Sequence, residues 1–182
     1  MPKRLKYMVL SAQFRAWLIH SARTAAAAAV SLLLADMMGQ SETYWAPIST
    51  IIVMQSSLGA SWATSKQRLI GTVIGAVLAG LFAGIHIPVP VMLGAGIFIL
   101  GLICAGLGLV QSAFRFAGVT FAIIILLPHS ETAWLIGVHR FIEVALGIAV
   151  ALAVSAVGPD FPFVQETHSR AARKALSPKS AE

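Results

Sequence analysis

The chain has 182 residues, of which 58% are hydrophobic and 11% charged, and its mean hydropathy is +0.84. A soluble domain of this size cannot bury that much apolar surface, so the composition excludes a soluble globular protein. The formal charge of +6 would suit a nucleic-acid partner only if the basic residues formed one patch. Because the apolar segments lack the alternation of membrane β-strands, we predict an all-α polytopic membrane protein.

Six apolar segments are candidates for transmembrane helices, since a spanning helix needs about 20 mostly apolar residues at about 1.5 Å rise each. In chain order they are Ala16–Met38, Ala46–Gly59, Leu69–Ile87, Val89–Leu109, Phe116–Leu127 and Phe141–Val157. The second and fifth segments are short. We therefore divide the chain into an interfacial amino-terminal segment (1–15), a six-helix membrane domain (16–157) and a basic tail (158–182).

The basic residues fall almost entirely on one side of this topology. With a cytoplasmic amino terminus, 12 of the 13 Lys and Arg residues lie inside and only Arg140 lies outside. This positive-inside bias favours six spans with both termini in the cytoplasm. The basic charge is thus an orientation signal, and no nucleic-acid partner is predicted.

The start of the chain alternates basic and apolar side chains over residues 1–20. We expect an amphipathic helix there, in the inner interface of the membrane ahead of the first span. Arg23 lies at the inner end of that span. Snorkelling of its side chain to the lipid headgroups is favoured over a role in a pore.

The second segment begins with Tyr44 and Trp45, a pair typical of the outer membrane interface. Gln55 and Ser56 lie toward its inner end. Lipid offers these polar groups no partner, so they either hold helices together or line an aqueous path. The sequence leaves both roles open.

Two further segments are preceded by a basic residue. Arg68 stands before the third and Arg140 before the sixth, so each charge is expected to add to the positive end of a helix dipole. Lys66 and Arg115 add cytoplasmic positive charge, for which anchoring to headgroups is the favoured role. Glu143 follows Arg140 by three residues on the same helix face, where an ion pair is favoured over a proton-coupling carboxylate.

Two parts of the sequence resemble each other at an offset of 72 residues. QRLIGTVIGAVLAG (67–80) aligns with HRFIEVALGIAVALA (139–153), and APISTIIVM aligns with AGVTFAIIIL at almost the same offset. The matched residues include Arg68 with Arg140, Ile70 with Ile142 and Gly75 with Gly147. With three spans in each copy, the second copy is inverted in the membrane, as in many transporter folds.

An inverted repeat also predicts where the pathway lies. In such folds the paired short segments mark it, and here these are the second and fifth. We expect Ser49, Gln55 and Thr120 to be reached by water. Inversion would place Arg68 at the cytoplasmic mouth and Arg140 at the outer mouth, where both would concentrate anions.

The sequence shows no catalytic constellation. The five histidines are scattered over both sides of the predicted membrane, and no His, Asp or Ser has the spacing of a ligand set or a nucleophile. Neither an enzyme activity nor a metal or other cofactor is predicted. Cys104, the single cysteine, is expected to be a packing residue within the fourth segment.

The stretch from Tyr44 to Gly80 resembles the fusaric acid resistance and aromatic acid exporter family. The resemblance rests on YWAPIST, IIVMQSS, LGAS and QRLIGTVIG in this order. More remotely, WAP, IIVM, GAS, SK, R and GT are similar to the plant aluminium-activated malate transporters. The resemblance implies a six-helix module in a bacterial inner membrane that passes small organic anions, often aromatic carboxylates.

Full-size exporters resemble two such modules with large cytosolic regions, whereas this chain has one. The resemblance therefore implies a homodimer surrounded by membrane lipid. Three functions remain open: an exporter of small organic anions, which we favour, a passive anion channel of the same fold, and a non-transporting subunit of a larger efflux assembly. An exporter would have the organic anion as its substrate, and a periplasmic efflux adaptor is a further candidate partner.

Overall fold

The computed structural model describes residues 3–39, 42–55, 57–127 and 132–157, with side chains from residue 14 onward. These residues form six α-helices and no β-strand, which confirms the all-α prediction. The helices are α1 (Lys3–Met37), α2 (Trp45–Val53), α3 (Leu58–Phe82), α4 (Val89–Gly106), α5 (Gln111–Leu126) and α6 (Ala133–Val157). The predicted basic tail, 158–182, lies outside the described residues.

Three of the described helical stretches are long and apolar enough to cross a membrane, namely Phe14–Met37 within α1, α4 and α6. α5 is apolar but has 16 residues, about 24 Å at about 1.5 Å rise per residue. α3 has 25 residues, but its first half carries several polar side chains. These helices indicate an integral membrane protein.

α1 is one continuous helix of 35 residues. The segment predicted to lie in the interface, 1–15, therefore runs into the first span without a break from Lys3 onward.

α2 is the shortest helix, with nine residues, or about 14 Å at about 1.5 Å rise each. The prediction that this segment extends to Gly59 is wrong, because the helix ends at Val53 and the next residue, Met54, is extended. Ser57 then starts α3 by accepting a 3.3 Å hydrogen bond from the Ala60 N–H. Such an N-cap satisfies a backbone donor that a helix start leaves free.

α3 and α6 both begin earlier than predicted. α3 starts at Leu58 instead of Leu69, and α6 starts at Ala133 instead of Phe141. The prediction was wrong because it required each span to be apolar throughout. The polar residues of these first turns are tolerated where the helices face each other and the short helix α2, away from lipid.

α3 and α6 form the centre of the bundle. They pack against each other, and α3 also packs against α5 while α6 packs against α2. α1 covers α2 and α6, and α4 covers α5 and α3. The contacts are symmetric when α1, α2 and α3 are exchanged with α4, α5 and α6. The contact of α3 with α5 then corresponds to that of α6 with α2, and the contacts of α1 correspond to those of α4.

Two glycines let the central helices approach the short ones. A Cβ on Gly75 of α3 would collide with the carbonyl oxygen of Ala117 on α5. A Cβ on Gly147 of α6 would collide with the carbonyl oxygen of Ala46 on α2. The two glycines match at the offset of 72, and the two alanines match within one residue of it.

Two apolar clusters pack on the central helices. One comprises Ala27, Val53, Met54, Val144, Ile148, Val150 and Ala151. The other comprises Leu78, Ala79, Leu100, Ala117, Phe121, Ile124 and Ile136. Several members correspond within one residue of the offset: Ala79 with Ala151, Leu78 with Val150, and Val53 with Ile124.

Candidate functional site

The interior of the bundle holds three charged side chains among the described residues: Arg68 of α3 and Arg140 and Glu143 of α6, which are 6%, 3% and 1% exposed. Arg68 lies about 15 Å along its helix and Arg140 about 10 Å along its own, at about 1.5 Å rise per residue. The prediction that both stand at helix starts is therefore wrong, and the helix dipole contributes little at these depths.

The two arginines meet at the same short helix, so the prediction of two separate mouths is also wrong. The Nη2 of Arg68 donates to the Ser49 hydroxyl at 3.0 Å. That hydroxyl donates to the Trp45 carbonyl at 2.8 Å, one turn earlier on α2. The Arg140 guanidinium lies over the Trp45 ring, and the two arginines interact electrostatically.

Each guanidinium faces an aromatic ring. The Cζ of Arg140 is 3.4 Å from the centroid of Trp45 on α2, and the Cζ of Arg68 is 5.1 Å from the centroid of Phe116 on α5. Trp45 and Phe116 correspond within one residue of the repeat offset. Attraction between a cation and a ring face partly replaces the water that a buried guanidinium has lost.

Part of the hydrogen-bonding capacity of the arginines is unused. The Nε atoms of Arg68 and Arg140 have no acceptor among the described residues. The Nη2 of Arg140 lies 3.3 Å from the Glu42 Oε2 as an ion pair, but the geometry is not that of a hydrogen bond. A guanidinium offers its donors in a fork that matches a carboxylate. These free donors therefore suit an anionic ligand.

Glu143 does not form the predicted ion pair with Arg140. The two interact electrostatically, but the salt bridge of Arg140 goes to Glu42, in the turn before α2. The reason is geometric, because Arg140 extends over the Trp45 ring, beside which Glu42 lies. The Oε1 of Glu143 is left without a hydrogen-bond partner in the described part of the chain.

The carboxylate of Glu42 contacts both Arg140 and Trp45. Its Oε2 accepts a 2.8 Å hydrogen bond from the Trp45 indole N–H and forms the salt bridge with Arg140. The side chain of Glu42 is 26% exposed, so this carboxylate reaches from the surface to the buried guanidinium.

A line of buried polar side chains extends along α3 to the arginines. The Ser61 hydroxyl accepts from the Gln55 N–H at 3.1 Å and lies 3.4 Å from the Ser155 hydroxyl of α6. The line therefore starts at the break between α2 and α3. Its members recur every three or four residues on one helix face: Ser61, Ser65, Arg68 and Thr72.

Lys66 and Arg115 lie on the surface and are not part of the site. Both side chains are exposed. The Lys66 ammonium lies 5.1 Å from the centroid of the Trp62 ring, and the Arg115 Nη2 donates to the Gln111 side-chain oxygen at 3.3 Å.

The residues predicted to line a path differ in their burial. Ser49 and Thr120 are buried, whereas Gln55 is exposed and Tyr44 is 47% exposed. Tyr44 packs its ring against that of Trp45, with the centroids 5.2 Å apart. The remaining one, Ser56, lies outside the described residues.

Arg23 has a structural contact that neither of its predicted roles included. Its Nη2 donates to the carbonyl oxygens of Val154 at 2.6 Å and Ser155 at 3.4 Å. These carbonyls belong to the last turn of α6, where a cation complements the helix dipole. Arg23 thus joins α1 to the end of α6.

Sequence reasoning missed Glu42 and Phe116. Phe116 is recognisable from the sequence as the repeat counterpart of Trp45, since each directly precedes one of the two aligned short segments. Glu42 gives no such signal, because a single carboxylate before a helix is ordinary at a membrane surface. The polar line on α3 is visible in the sequence as a spacing of three and four, but three of its four members lie outside the predicted span, Leu69–Ile87.

Comparison with known proteins finds a family for this chain. The family model described as fusaric acid resistance protein-like matches residues 25–154, more than two thirds of the chain. The matched region extends from α1 into α6 and contains Arg68, Arg140, Glu143, Glu42 and Trp45. No curated protein and no solved structure matches the chain.

Proposed function

Because the chain belongs to the fusaric acid resistance protein-like family, we propose that it is a membrane transporter that exports small organic anions through a centre formed by Arg68 and Arg140. The observation that carries this proposal is the pair of buried guanidiniums with free Nε donors. Uncompensated charge is costly inside a membrane protein. A bound anion would balance the charge of Arg68, which has no salt bridge among the described residues, and could replace Glu42 at Arg140.

The substrate class that fits this centre is an aromatic carboxylate. A guanidinium binds a carboxylate through two parallel hydrogen bonds. The rings of Trp45 and Phe116 lie beside the two guanidiniums and would pack against an aromatic substrate. A site with a few polar groups among aromatic side chains is typical for such ligands.

The proposed architecture is six spans in two inverted repeats of three. Three observations support it: the exchange symmetry of the helix contacts, the matching contacts of Gly75 and Gly147, and the matching rings beside the two arginines. Transporters built from inverted repeats place their binding site near the midplane, next to interrupted helices. α2, which ends at an extended break, lies beside the arginines in this way.

The proposed location is a bacterial inner membrane with both termini in the cytoplasm, supported by the distribution of Lys and Arg. The proposed assembly is a homodimer in lipid, with a periplasmic adaptor as a further candidate partner. The glycine-containing faces of α3 and α6, which could otherwise pack closely against a second protomer, are occupied within this one, since Gly75 packs on α5 and Gly147 on α2. A dimer would therefore use another face. No enzymatic step is part of this proposal.

The test is anion flux in reconstituted vesicles, with radiolabelled benzoate as the probe. We expect flux well above that of protein-free vesicles, and loss of it when Arg68 or Arg140 is replaced by Gln. The exposed Lys66 provides the matched control, because Lys66→Gln removes one cation from the same helix without touching the site. Flux no greater than in protein-free vesicles would refute transport and leave the role of a non-transporting subunit.

The same vesicles separate an exporter from a passive channel. An imposed proton gradient should change the rate of a coupled transporter, and Glu143 is the candidate for the coupling carboxylate. Flux that is driven only by the concentration gradient of benzoate and the membrane potential would indicate a passive channel.

A further inference from the structure

Glu42 occupies an unusual position for a residue near the end of a membrane helix. Its carboxylate lies against the buried Arg140 and accepts from the Trp45 indole N–H. These are two of the groups that an aromatic carboxylate would contact in the proposed site. The carboxylate of Glu42 thus stands where a substrate carboxylate would bind.

The contact between Glu42 and Arg140 leaves two donors of the guanidinium unsatisfied. The atoms Oε2 and Nη2 are 3.3 Å apart without hydrogen-bond geometry, and the Nε of Arg140 has no acceptor among the described residues. A free carboxylate is not restrained by a backbone and can approach Nε and Nη2 together as a two-bond fork. It would therefore supply two charge-assisted hydrogen bonds to Nε and Nη2, which have no hydrogen-bond partner among the described residues.

We propose that Glu42 is a tethered competitor, which neutralises Arg140 in the empty protein and is displaced when a substrate carboxylate binds. This inference rests on the proposed function, because it takes Arg140 to be part of the anion site. Displacement moves a carboxylate that is already 26% exposed toward solvent, so entry of the substrate opens this side of the site.

The guanidinium fork, which Glu42→Gln leaves in place, favours carboxylates over simple halides. Chloride is a single point of charge and cannot use the fork, so it binds more weakly than a carboxylate. A tethered competitor lowers the apparent affinity of every anion that must displace it by the same factor. Removing the charge of Glu42 should therefore tighten the binding of chloride and benzoate by similar factors and leave the selectivity between them unchanged.

The test is a titration with benzoate and, separately, with chloride, read by the fluorescence of Trp45. The other tryptophans, Trp17, Trp62 and Trp134, are replaced by Phe so that Trp45 alone reports. In this background Glu42→Gln keeps an oxygen that can accept from the indole but removes the charge. An ion pair at a protein surface contributes up to about 1 kcal/mol, and the Arg140 side of this pair is buried, so we expect benzoate to bind at least about fivefold more tightly.

Two further variants separate direct competition from the general electrostatic effect of removing a negative charge near the site. Asp36→Asn removes an exposed carboxylate from the end of α1, six residues before Glu42, and should leave the affinity unchanged. Glu42→Asp keeps the charge but shortens the side chain, so it should bind benzoate more tightly than the parent. Equal gains in Asp36→Asn and Glu42→Gln, or no gain in Glu42→Asp, would overturn competition.

The outcomes also distinguish this inference from the proposed function. Benzoate binding that is equal in the parent and in Glu42→Gln refutes the tether and leaves the anion site intact. Absence of binding in the parent and in every Glu42 variant refutes both. Binding that tightens in Glu42→Gln and weakens at least about tenfold on the further change Arg140→Gln is the result expected.

Discussion

Arg68 and Arg140 occupy corresponding places in the two halves of the bundle but have different partners. Each lies on a central helix and faces a ring, Phe116 or Trp45, on a short helix. Arg68 donates to a neutral hydroxyl, that of Ser49, whereas Arg140 is paired with a carboxylate. The scaffold is thus repeated while the electrostatics are not.

In the proposed function this difference gives the two guanidiniums different tasks. The charge of Arg68 has no salt-bridge partner within 4 Å among the described residues, so we expect it to attract an anion more strongly. The charge of Arg140 is partly neutralised by Glu42, so we expect an anion to bind there only by displacing Glu42. On this proposal a symmetric scaffold carries one permanent and one conditional anion contact.

The largest effect expected is on the scaffold that the two halves share. Gly75→Ala and Gly147→Ala would each push a methyl group into a backbone carbonyl, of Ala117 and of Ala46, which cannot move without shifting a helix. Overpacking of this kind costs about 1–3 kcal/mol, and more where backbone is the obstacle. We expect both variants to melt at clearly lower temperatures in detergent, by similar amounts.

The control for these glycines is Gly94→Ala on α4, where an added Cβ has nothing within 4 Å. It should melt at or above the temperature of the parent, since Ala is the better helix former. A marked loss in only one of the two central variants would show that the halves are not equivalent.

The next effect concerns the charges themselves. Arg68→Gln and Arg140→Gln should both lower benzoate flux at least about tenfold, equivalent to about 1.4 kcal/mol, with the larger loss for Arg68. Arg140→Lys should not restore flux, because an ammonium lacks the fork and the planar stacking on Trp45. Flux and melting temperature are measured side by side. Normal flux in well-folded Arg68→Gln and Arg140→Gln would refute the site.

The smallest effect concerns the two rings. Trp45→Leu should destabilise the protein more than Phe116→Leu, because Arg140 lies 3.4 Å from its ring centroid and Arg68 lies 5.1 Å from the other. Cation–π contacts contribute about 0.5–1 kcal/mol when exposed and about 2 when desolvated. Unfolding of the two variants by sodium dodecyl sulfate measures the difference. The reverse order would show that the ring of Trp45 does not hold Arg140.

Composition and pattern were sufficient for the class of the protein and for the pairing of its main residues. An apolar content this high leaves only membrane helices, and matched spacings bring out Arg68 with Arg140 and Gly75 with Gly147. These features are composition and residue spacing, which can be read from the sequence without knowing which residues are close in space. The resemblance of Tyr44–Gly80 predicted the family, and the match of the family model to residues 25–154 confirms it.

The depth and the partners of the arginines required the tertiary structure. Hydropathy places a polar residue outside a span, yet α3 begins at Leu58 and carries Arg68 into the bundle, because packing against α2 and α6 shields the polar face from lipid. The partner of Arg140 was likewise decided by distance in space. Glu143 is three residues away in the chain, but Glu42 lies beside Trp45, over whose ring Arg140 extends.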